Sequence, residues 1–335
     1  LGAMTSPIRT GETAHSKFPA VSVVLPVLNE AMHLKQSIAT ILSQSYQGEI
    51  EVIMAIGPSH DGTAEIAREI LRQDSRVKLV ENPSGRTPNG LNLAIAKARF
   101  EIIVRIDGHS EIDKTYIADA VETMEKTGAV NVGGIMAAVG ITNFQKATAR
   151  AMRSVIGVGP SKFHTGGKSG PAETVYLGVF KKNALLNIGG FDERFIRAQD
   201  WEMNYRLRKA GGAIWFDPRL VVTYRPRPDI RKLARQYFEY GRWRRAVARS
   251  YPETVSARYL AAPITLLINF FSLSFGLIIH YIFLIPVLGY LTLVTLGGLF
   301  IGENWRERIR LPFILIAMHM SWGWGFISSP RKLMS

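Results

Sequence analysis

The 335-residue chain contains no cysteine. Disulfides and cysteine-ligated zinc are therefore excluded, and a reducing, cytoplasmic setting is compatible with the sequence. Acidic residues are scarce, with 27 Asp and Glu against 41 Lys and Arg, leaving a net charge of +14. Such a balance calls for an anionic partner: nucleic acid, anionic lipid or phosphorylated substrate. The first residues lack the apolar core of a signal peptide. Leu1-Gly2-Ala3 precedes Met4 and reads as a tag remnant, and residues 1–18 are expected to form a flexible, cytoplasmic N-terminus. Charge is nearly absent from Ala261 to Gly302. That run is too long for one spanning helix, which needs roughly 20 residues.

Three regions differ in composition. Residues 19–225 alternate short apolar runs with helical patterns. Val21–Val27, Glu51–Ile56, Val77–Val80 and Ile102–Ile106 read as strands. Glu30–Leu42, Thr63–Arg72 and Asn89–Ala98 read as the helices between them. This rhythm predicts an α/β domain with a mainly parallel sheet covered by helices. Ligands in such sheets bind beyond the carboxyl ends of the strands, here at Asn29-Glu30, Gly57–Thr63 and Asp107-Gly108-His109.

Residues 226–259 are basic and aromatic and predict juxtamembrane helices at the interface. Residues 260–330 predict a membrane region: a two-helix hairpin over about 260–302 that turns near His280–Pro286, and a third apolar helix over about 311–328. A charged break from Glu303 to Arg310 separates them. The third helix either spans the bilayer or lies in its interface; Trp322 and Trp324 suit an aromatic belt. Positive charge flanks both ends of the hairpin, from Arg231 to Arg258 and from Arg306 to Arg310. A multi-pass protein of the inner (plasma) membrane with a cytoplasmic catalytic domain follows from the positive-inside tendency. Because the basic residues cluster beside the spans, no nucleic-acid partner is expected.

Asp107-Gly108-His109 places a carboxylate and an imidazole two residues apart, directly after a buried strand. Both side chains can hold Mn²⁺ or Mg²⁺, and Gly108 leaves room for a phosphate. Taken alone, the triplet is equally an ordinary Asp-Gly turn.

In its wider context the chain resembles the family-2 glycosyltransferases of GT-A fold, in the branch that makes succinoglycan-type polysaccharides on membranes. The opening strand ends in Pro26-Val27-Leu28-Asn29-Glu30, matching Pro-x-x-Asn-Glu. Ser59-His60-Asp61-Gly62-Thr63 matches the motif after the second strand. Asp107-Gly108-His109 stands at the metal-binding Asp-x-Asp. Gly189-Gly190-Phe191-Asp192-Glu193 and then Gln199-Asp200 stand where the family has Gly-Gly-Phe-Asp-Glu and Glu-Asp, and Asn204–Gly211 follows.

The resemblance implies inverting, metal-dependent transfer from a nucleoside-diphosphate sugar to a membrane-embedded, polyprenyl-linked acceptor. It implies Asp200 as catalytic base and Asp107 and His109 as metal ligands. Pro26, Asn29, Glu30, Asp61, Arg86 and Asp107 become the donor-binding residues. Two features depart from the pattern. Ile56-Gly57 replaces the usual Asp pair near the nucleobase, and His109 replaces the last metal-motif Asp.

Several residues carry two readings. Asp61 orients the nucleotide, caps the following helix, or does both. Asp200 has as its other reading a carboxylate suited to a helix N-terminus. Arg86 reaches donor phosphates or is a solvated loop arginine. His164 and Lys168, in a glycine-rich segment expected to be a mobile loop, are candidate phosphate contacts. Gln199, Trp201, Gln236, Arg242 and Trp243 are candidates for acceptor or diphosphate binding, and the segment from Gln236 to Trp243 otherwise reads as a basic amphipathic helix on an anionic leaflet. A non-catalytic membrane module that binds nucleotide or anionic lipid is the alternative function, and oligomerisation is left open.

Overall fold

The computed structural model describes residues 18–334. The expected tag remnant and N-terminal tail fall outside that range, apart from Phe18. Strands β1 (Val21–Val27), β2 (Ile50–Ile56), β3 (Val77–Glu81) and β4 (Ile102–Arg105) alternate with helices α1 (Leu34–Leu42), α2 (Thr63–Gln73) and α3 (Thr87–Lys97). There follow β5 (Glu111–Ile112), α4 (Tyr116–Thr127), β6 (Asn131–Ala138), α5 (Asn143–Met152), α6 (Val155–Val158) and α7 (Lys162–Thr165). Then come β7 (Gly170–Pro171), β8 (Tyr176–Lys181), α8 (Lys182–Asn187), α9 (Gln199–Lys209) and β9 (Ile214–Tyr224). Four long helices close the chain: α10 (Ile230–Ser250), α11 (Ala257–Ile278), α12 (Ile285–Ile301) and α13 (Trp305–Ser328).

The sheet runs β3-β2-β1-β4-β8-β6-β9-β5, with β7 paired to β9. The β3–β4 half is parallel; β8 enters antiparallel on both sides, and β6 and β9 are parallel neighbours. Alternation along β1 divides the core. Val21, Val23, Leu25 and Val27 pack toward α1, α2 and α4, while Val24 packs toward α3, α8 and α9.

Pro26 in the central strand has a positional reason. The β1–β4 ladder ends at Val24 opposite Arg105, whereas β1 continues beside β2 to Val27. On the β4 side, Pro26 therefore has no ladder bond to donate. The two strands part there, and the crevice opens.

Glu51 ties four segments together from a position 1 % exposed. Its carboxylate accepts from Ser22 Oγ (2.6 Å), Lys78 Nζ (2.7 Å), Arg99 N (2.7 Å) and Arg99 Nε (2.9 Å). Burial pushes its pKa up, but these hydrogen bonds outweigh burial and bring it down to about 2.

Two helix boundaries depart from expectation. The first helix starts at Leu34 rather than Glu30, because Asn29 adopts a left-handed conformation (φ 55°) and a turn over 31–33 precedes the helix. The charged stretch 305–310 is the first turns of α13, not a break. Asn304 caps this helix by accepting from Glu307 N (3.0 Å). Arg150 of α5 pairs with Glu303 and, at 3.7 Å, with Glu307, tying α13 to the α/β domain.

Helix α10 packs lengthwise on α13. A Cβ on Gly241 would lie 2.0 Å from Trp322 O, and one on Gly325 would lie 2.0 Å from Phe238 O. Only glycine permits this approach. The apolar stripe of α10 is thereby covered by protein. The helices Ala257–Ile278, Tyr281–Ile301 (a 3₁₀ turn plus α12) and α13 are long and apolar enough to cross a membrane by length and composition. The expected hairpin turn falls between α11 and α12, at 279–284.

Glu51→Ala is expected to cost about 1–3 kcal/mol by leaving Ser22 Oγ and Arg99 N without their buried acceptor. Because the folded pKa of Glu51 lies below its unfolded value, its contribution is present above about pH 4.5 and is lost as pH falls toward 2. Melting curves of wild type and variant between pH 7 and pH 3 should therefore converge.

Candidate active site

Arg105, the last residue of β4, is 2 % exposed. Its guanidinium pairs with Asp200 and lies 3.3 Å from Asp107 Oδ1. Phe191 lies beside it, with the guanidinium carbon 5.8 Å from the ring centre. The two carboxylates, 93 residues apart in sequence, thus meet across one cation at the carboxyl end of the sheet.

Helix α9 carries Asp200 in its first turn, where the helix dipole favours a negative charge. The helix is anchored from beneath. Glu202 is fully buried and accepts from Arg206 Nε (2.6 Å) and Tyr251 OH (2.8 Å). Arg206 also donates to Ile188 O (2.7 Å) and Gly190 O (2.9 Å), gripping the Gly189–Glu193 loop. Asn92 of α3 holds the same loop from the other side, through Phe191 O (2.8 Å) and Phe191 N (2.9 Å). Ala198, immediately before the helix, is left-handed at φ 59°. A non-glycine residue pays about 1–2 kcal/mol for that conformation, so the surrounding bonds hold the approach to Asp200 in place.

The loops after β1 and β2 interlock. Asn29 Oδ1 accepts from His60 N (3.0 Å), Ser59 Oγ accepts from Asn29 N (3.0 Å), and Thr63 Oγ1 accepts from Glu30 N (2.8 Å). Asp61 accepts from Thr63 N (3.1 Å), Thr63 Oγ1 (2.5 Å) and Ala31 N (3.1 Å). The Thr63 hydroxyl, ahead of the backbone N–H groups, holds the Asp61 carboxyl below its ordinary range. Asp61 therefore forms an Asx turn onto the first residue of α2, ahead of the Gly62 N-cap, and clasps the two loops together.

His109 Nδ1 lies 2.7 Å from Glu30 Oε1. That bond raises the imidazole pKa against the opposing effect of burial, with further help from the charges of Asp107 and Glu30. Gly108 makes room for the contact: a Cβ there would sit 3.0 Å from Glu30 Cγ. The space expected for a phosphate at Gly108 is taken by the Glu30 side chain.

The donor set for a divalent cation fits in part. Asp107 offers a carboxylate, and His109 keeps Nε2 available with its ring oriented by Glu30, a common arrangement for ligating histidines. Among the described residues no group of three or more His, Cys, Asp or Glu is poised to hold a metal. A Mg²⁺ or Mn²⁺ ion here would take its remaining oxygens from a diphosphate and water.

The remaining expected site residues divide between solvent, the core and the head of α9. Arg86 is exposed, and its guanidinium has no partner among the described residues. Lys168 is exposed, but His164 lies on α7 with its Nδ1 buried and unpartnered, facing a cavity against α11–α13. Gln236 is buried and donates to Tyr224 OH and Tyr240 OH, both at 2.7 Å. Arg242 pairs with Glu239 at 2.8 Å. Trp243 is core, packed with Phe195 and Val247. Trp201 stacks on Tyr205 and under Arg244. Gln199 opens α9 beside Asp200.

The model of the family described as Glycosyl transferase family 2 matches residues 22–189. The succinoglycan biosynthesis protein ExoA of Rhizobium meliloti (strain 1021) is 34% identical over 313 residues, covering 91% of this chain and 93% of that protein. The chain belongs to glycosyltransferase family 2. A dolichyl N-acetyl-alpha-D-glucosaminyl phosphate 3-beta-D-2,3-diacetamido-2,3-dideoxy-beta-D-glucuronosyltransferase of Methanococcus voltae is 24% identical over 66% of this chain and 71% of its own length. Among solved structures, the mannosyltransferase PcManGT from Pyrobaculum calidifontis, in complex with GDP-Man and Mn²⁺, superposes with a TM-score of 0.59 at 17% identity, covering 90% of this chain and 86% of that one. S. aureus TarS 1-349 in complex with UDP superposes at 0.51 and 15% identity, covering 91% and 89%. The fold of this glycosyltransferase is GT-A, followed by three candidate transmembrane helices.

Arg105 was missed in the sequence reading, although an arginine closing an otherwise apolar strand was the available signal. Arg105→Met is expected to lower sugar transfer by about a hundredfold or more, since it leaves two carboxylates facing each other without their cation. Turnover and melting temperature should fall together; unchanged turnover would remove Arg105 from the machinery.

Proposed function

We propose that the enzyme transfers a sugar from a nucleoside-diphosphate donor to a membrane-embedded, polyprenyl-linked acceptor, with inversion, during cell-envelope polysaccharide synthesis. The observation that carries this reading is the convergence of Asp200 and Asp107 on Arg105 where β1 and β4 part. A base and a diphosphate-side carboxylate stand at one crevice, as a single displacement requires.

In this scheme Asp200 takes the proton from the acceptor hydroxyl as that oxygen attacks the anomeric carbon. One displacement by one base inverts the centre. Asp107 and His109 would hold a divalent cation, which when bound would supply positive charge for the leaving nucleoside diphosphate. Glu30 orients His109. Asn29, Pro26 and Asp61 shape the loops that cradle the nucleotide, and Arg86 offers an unpaired guanidinium to donor phosphates. Arg105 keeps Asp200 placed before the acceptor arrives. The polysaccharide role is supported by the similarity to ExoA, and a lipid-linked acceptor by the similarity to the archaeal dolichyl-phosphate-linked enzyme.

The membrane arrangement follows the same reading. Helices α11 and α12 expose apolar side chains such as Phe270, Leu277, Ile278 and Phe300, and these serve as a spanning hairpin. Helix α13 is more covered, lying against α10 and α5. The catalytic domain is placed on the cytoplasmic side of the plasma membrane, beside the basic residues that flank the hairpin.

Asp200→Asn is expected to lower transfer by about a thousandfold while preserving thermal stabilisation by a nucleoside diphosphate with Mn²⁺. Asp107→Ala should remove the Mn²⁺-dependent part of that stabilisation. Full turnover in both variants, or product that retains the donor's anomeric configuration by NMR, would overturn the reading.

A further inference from the structure

A cavity of about 480 Å³ lies between the α/β domain and the apolar helices. Its walls come from α6, α7, α10 and all three long apolar helices. Most of the lining is apolar, with Ala262, Leu293 and Met318 as examples, but one side is polar: His164, Tyr240, Arg258 and Tyr259.

The charges around it are unbalanced. Arg244, 5 % exposed, stacks its guanidinium 3.7 Å from the centre of the Tyr259 ring and 4.1 Å from that of Trp201. It donates from Nη2 to Thr254 O (2.5 Å), while Nε and Nη1 are buried without a partner. Arg258 reaches only Val158 O, at 3.4 Å, and stacks on Tyr259. Neither arginine forms an ion pair with a carboxylate among the described residues, and the two are close enough to repel each other. A buried guanidinium is ordinarily paired, so Arg244, with two nitrogens unpartnered and the exposed Arg258 stacked on the same Tyr259 ring, marks the place of an anion.

The cluster is continuous with the catalytic centre. Trp201, under Arg244, follows Asp200 directly. Tyr176 lies within electrostatic range of both Asp107 and Tyr240. An anion at Arg244 and Arg258 thus lies against Trp201 of α9 on one side and, past Tyr259, borders the apolar space between the long helices on the other.

We propose that this cavity seats the lipid end of the acceptor, a polyprenyl phosphate or diphosphate, with Arg258 and Arg244 holding its phosphate and the apolar wall holding the first isoprenoid units. The volume suits a ligand of small-molecule size. At about 480 Å³ it holds a phosphate and the first units of one apolar chain. His164 Nδ1, unpartnered at the cavity wall, is a further polar contact for the phosphate. The proposal rests on the transfer reaction above and names the seat of its acceptor.

The test uses the full-length protein in detergent, titrated separately with polyprenyl phosphate, dioleoyl phosphatidylglycerol and inorganic pyrophosphate, with melting temperature as the readout. Polyprenyl phosphate is expected to stabilise, and the other two are not. Arg258→Gln should weaken that response by about tenfold, the worth of one charged hydrogen-bonding group, with partial recovery in Arg258→Lys. Thr265→Phe, which fills the cavity from α11, should weaken it as well, with Ala262→Leu as a second filling variant. Stabilisation by nucleoside diphosphate with Mn²⁺ should be unchanged in all of them, which shows that they are folded. Equal stabilisation by phosphatidylglycerol, full stabilisation by pyrophosphate alone, or an unaltered polyprenyl response in the charge and filling variants would each overturn the proposal. Failure of the nucleotide to stabilise the unaltered protein would count against the transfer reaction instead, and the polyprenyl arm would still report on the cavity.

Discussion

A guanidinium at the end of a buried strand attracts carboxylates from wherever the chain can bring them. Arg105 is removed from water by the sheet and by Phe191, and a lone buried cation is costly. Asp107, two residues on, and Asp200, at the head of α9, meet that demand together. Much of the surrounding structure serves to deliver Asp200: the Glu202–Arg206 pair, the Asn92 clamp on the Gly189–Glu193 loop, and the Asn131–Asn204 bond at 2.6 Å under α9. Each is a buried polar contact that would be expensive to leave half-made.

The sheet and the candidate membrane helices share a buried apolar cluster that runs from β6 and β9 through α5 and α10 to α12 and α13. Gly241 and Gly325 let α10 and α13 approach backbone to backbone, and Arg150 ties the head of α13 to α5. The catalytic domain is therefore attached to its hydrophobic base by a packed joint rather than a loose tether. A packed joint fixes the position of the crevice relative to the candidate membrane helices. Tyr259 and Trp201 stand at that joint, one on α11 and the other beside Asp200.

The parallel half of the sheet, its order of strands and helices, and the hairpin of apolar helices were legible in the sequence. Their signals are local: Val21–Val27 and Ile102–Ile106 are apolar runs of strand length, and 260–302 lacks charge over twice a spanning length. Boundaries set by capping were less legible. Asn304 and the left-handed Asn29 decide where α13 and α1 begin, and neither leaves a hydrophobic signature. Trp243 and Gln236 resembled binding residues by type, yet packing made one a core side chain and the other a tie between two tyrosines.

The sequence by itself determined the family, the position of Asp107 after its strand and the presence of Asp200 in an ordered set of motifs, because those depend on spacing along the chain. Only the tertiary structure decided that Arg105 joins the two carboxylates, that Glu30 faces His109 across Gly108, and that Arg244 and Arg258 share the Tyr259 ring with no ion pair to a carboxylate among the described residues. These pairs are separated by as few as 2 residues or as many as 95. Burial, which makes a charge seek its partner, is a property of the packed molecule and not of any segment of it.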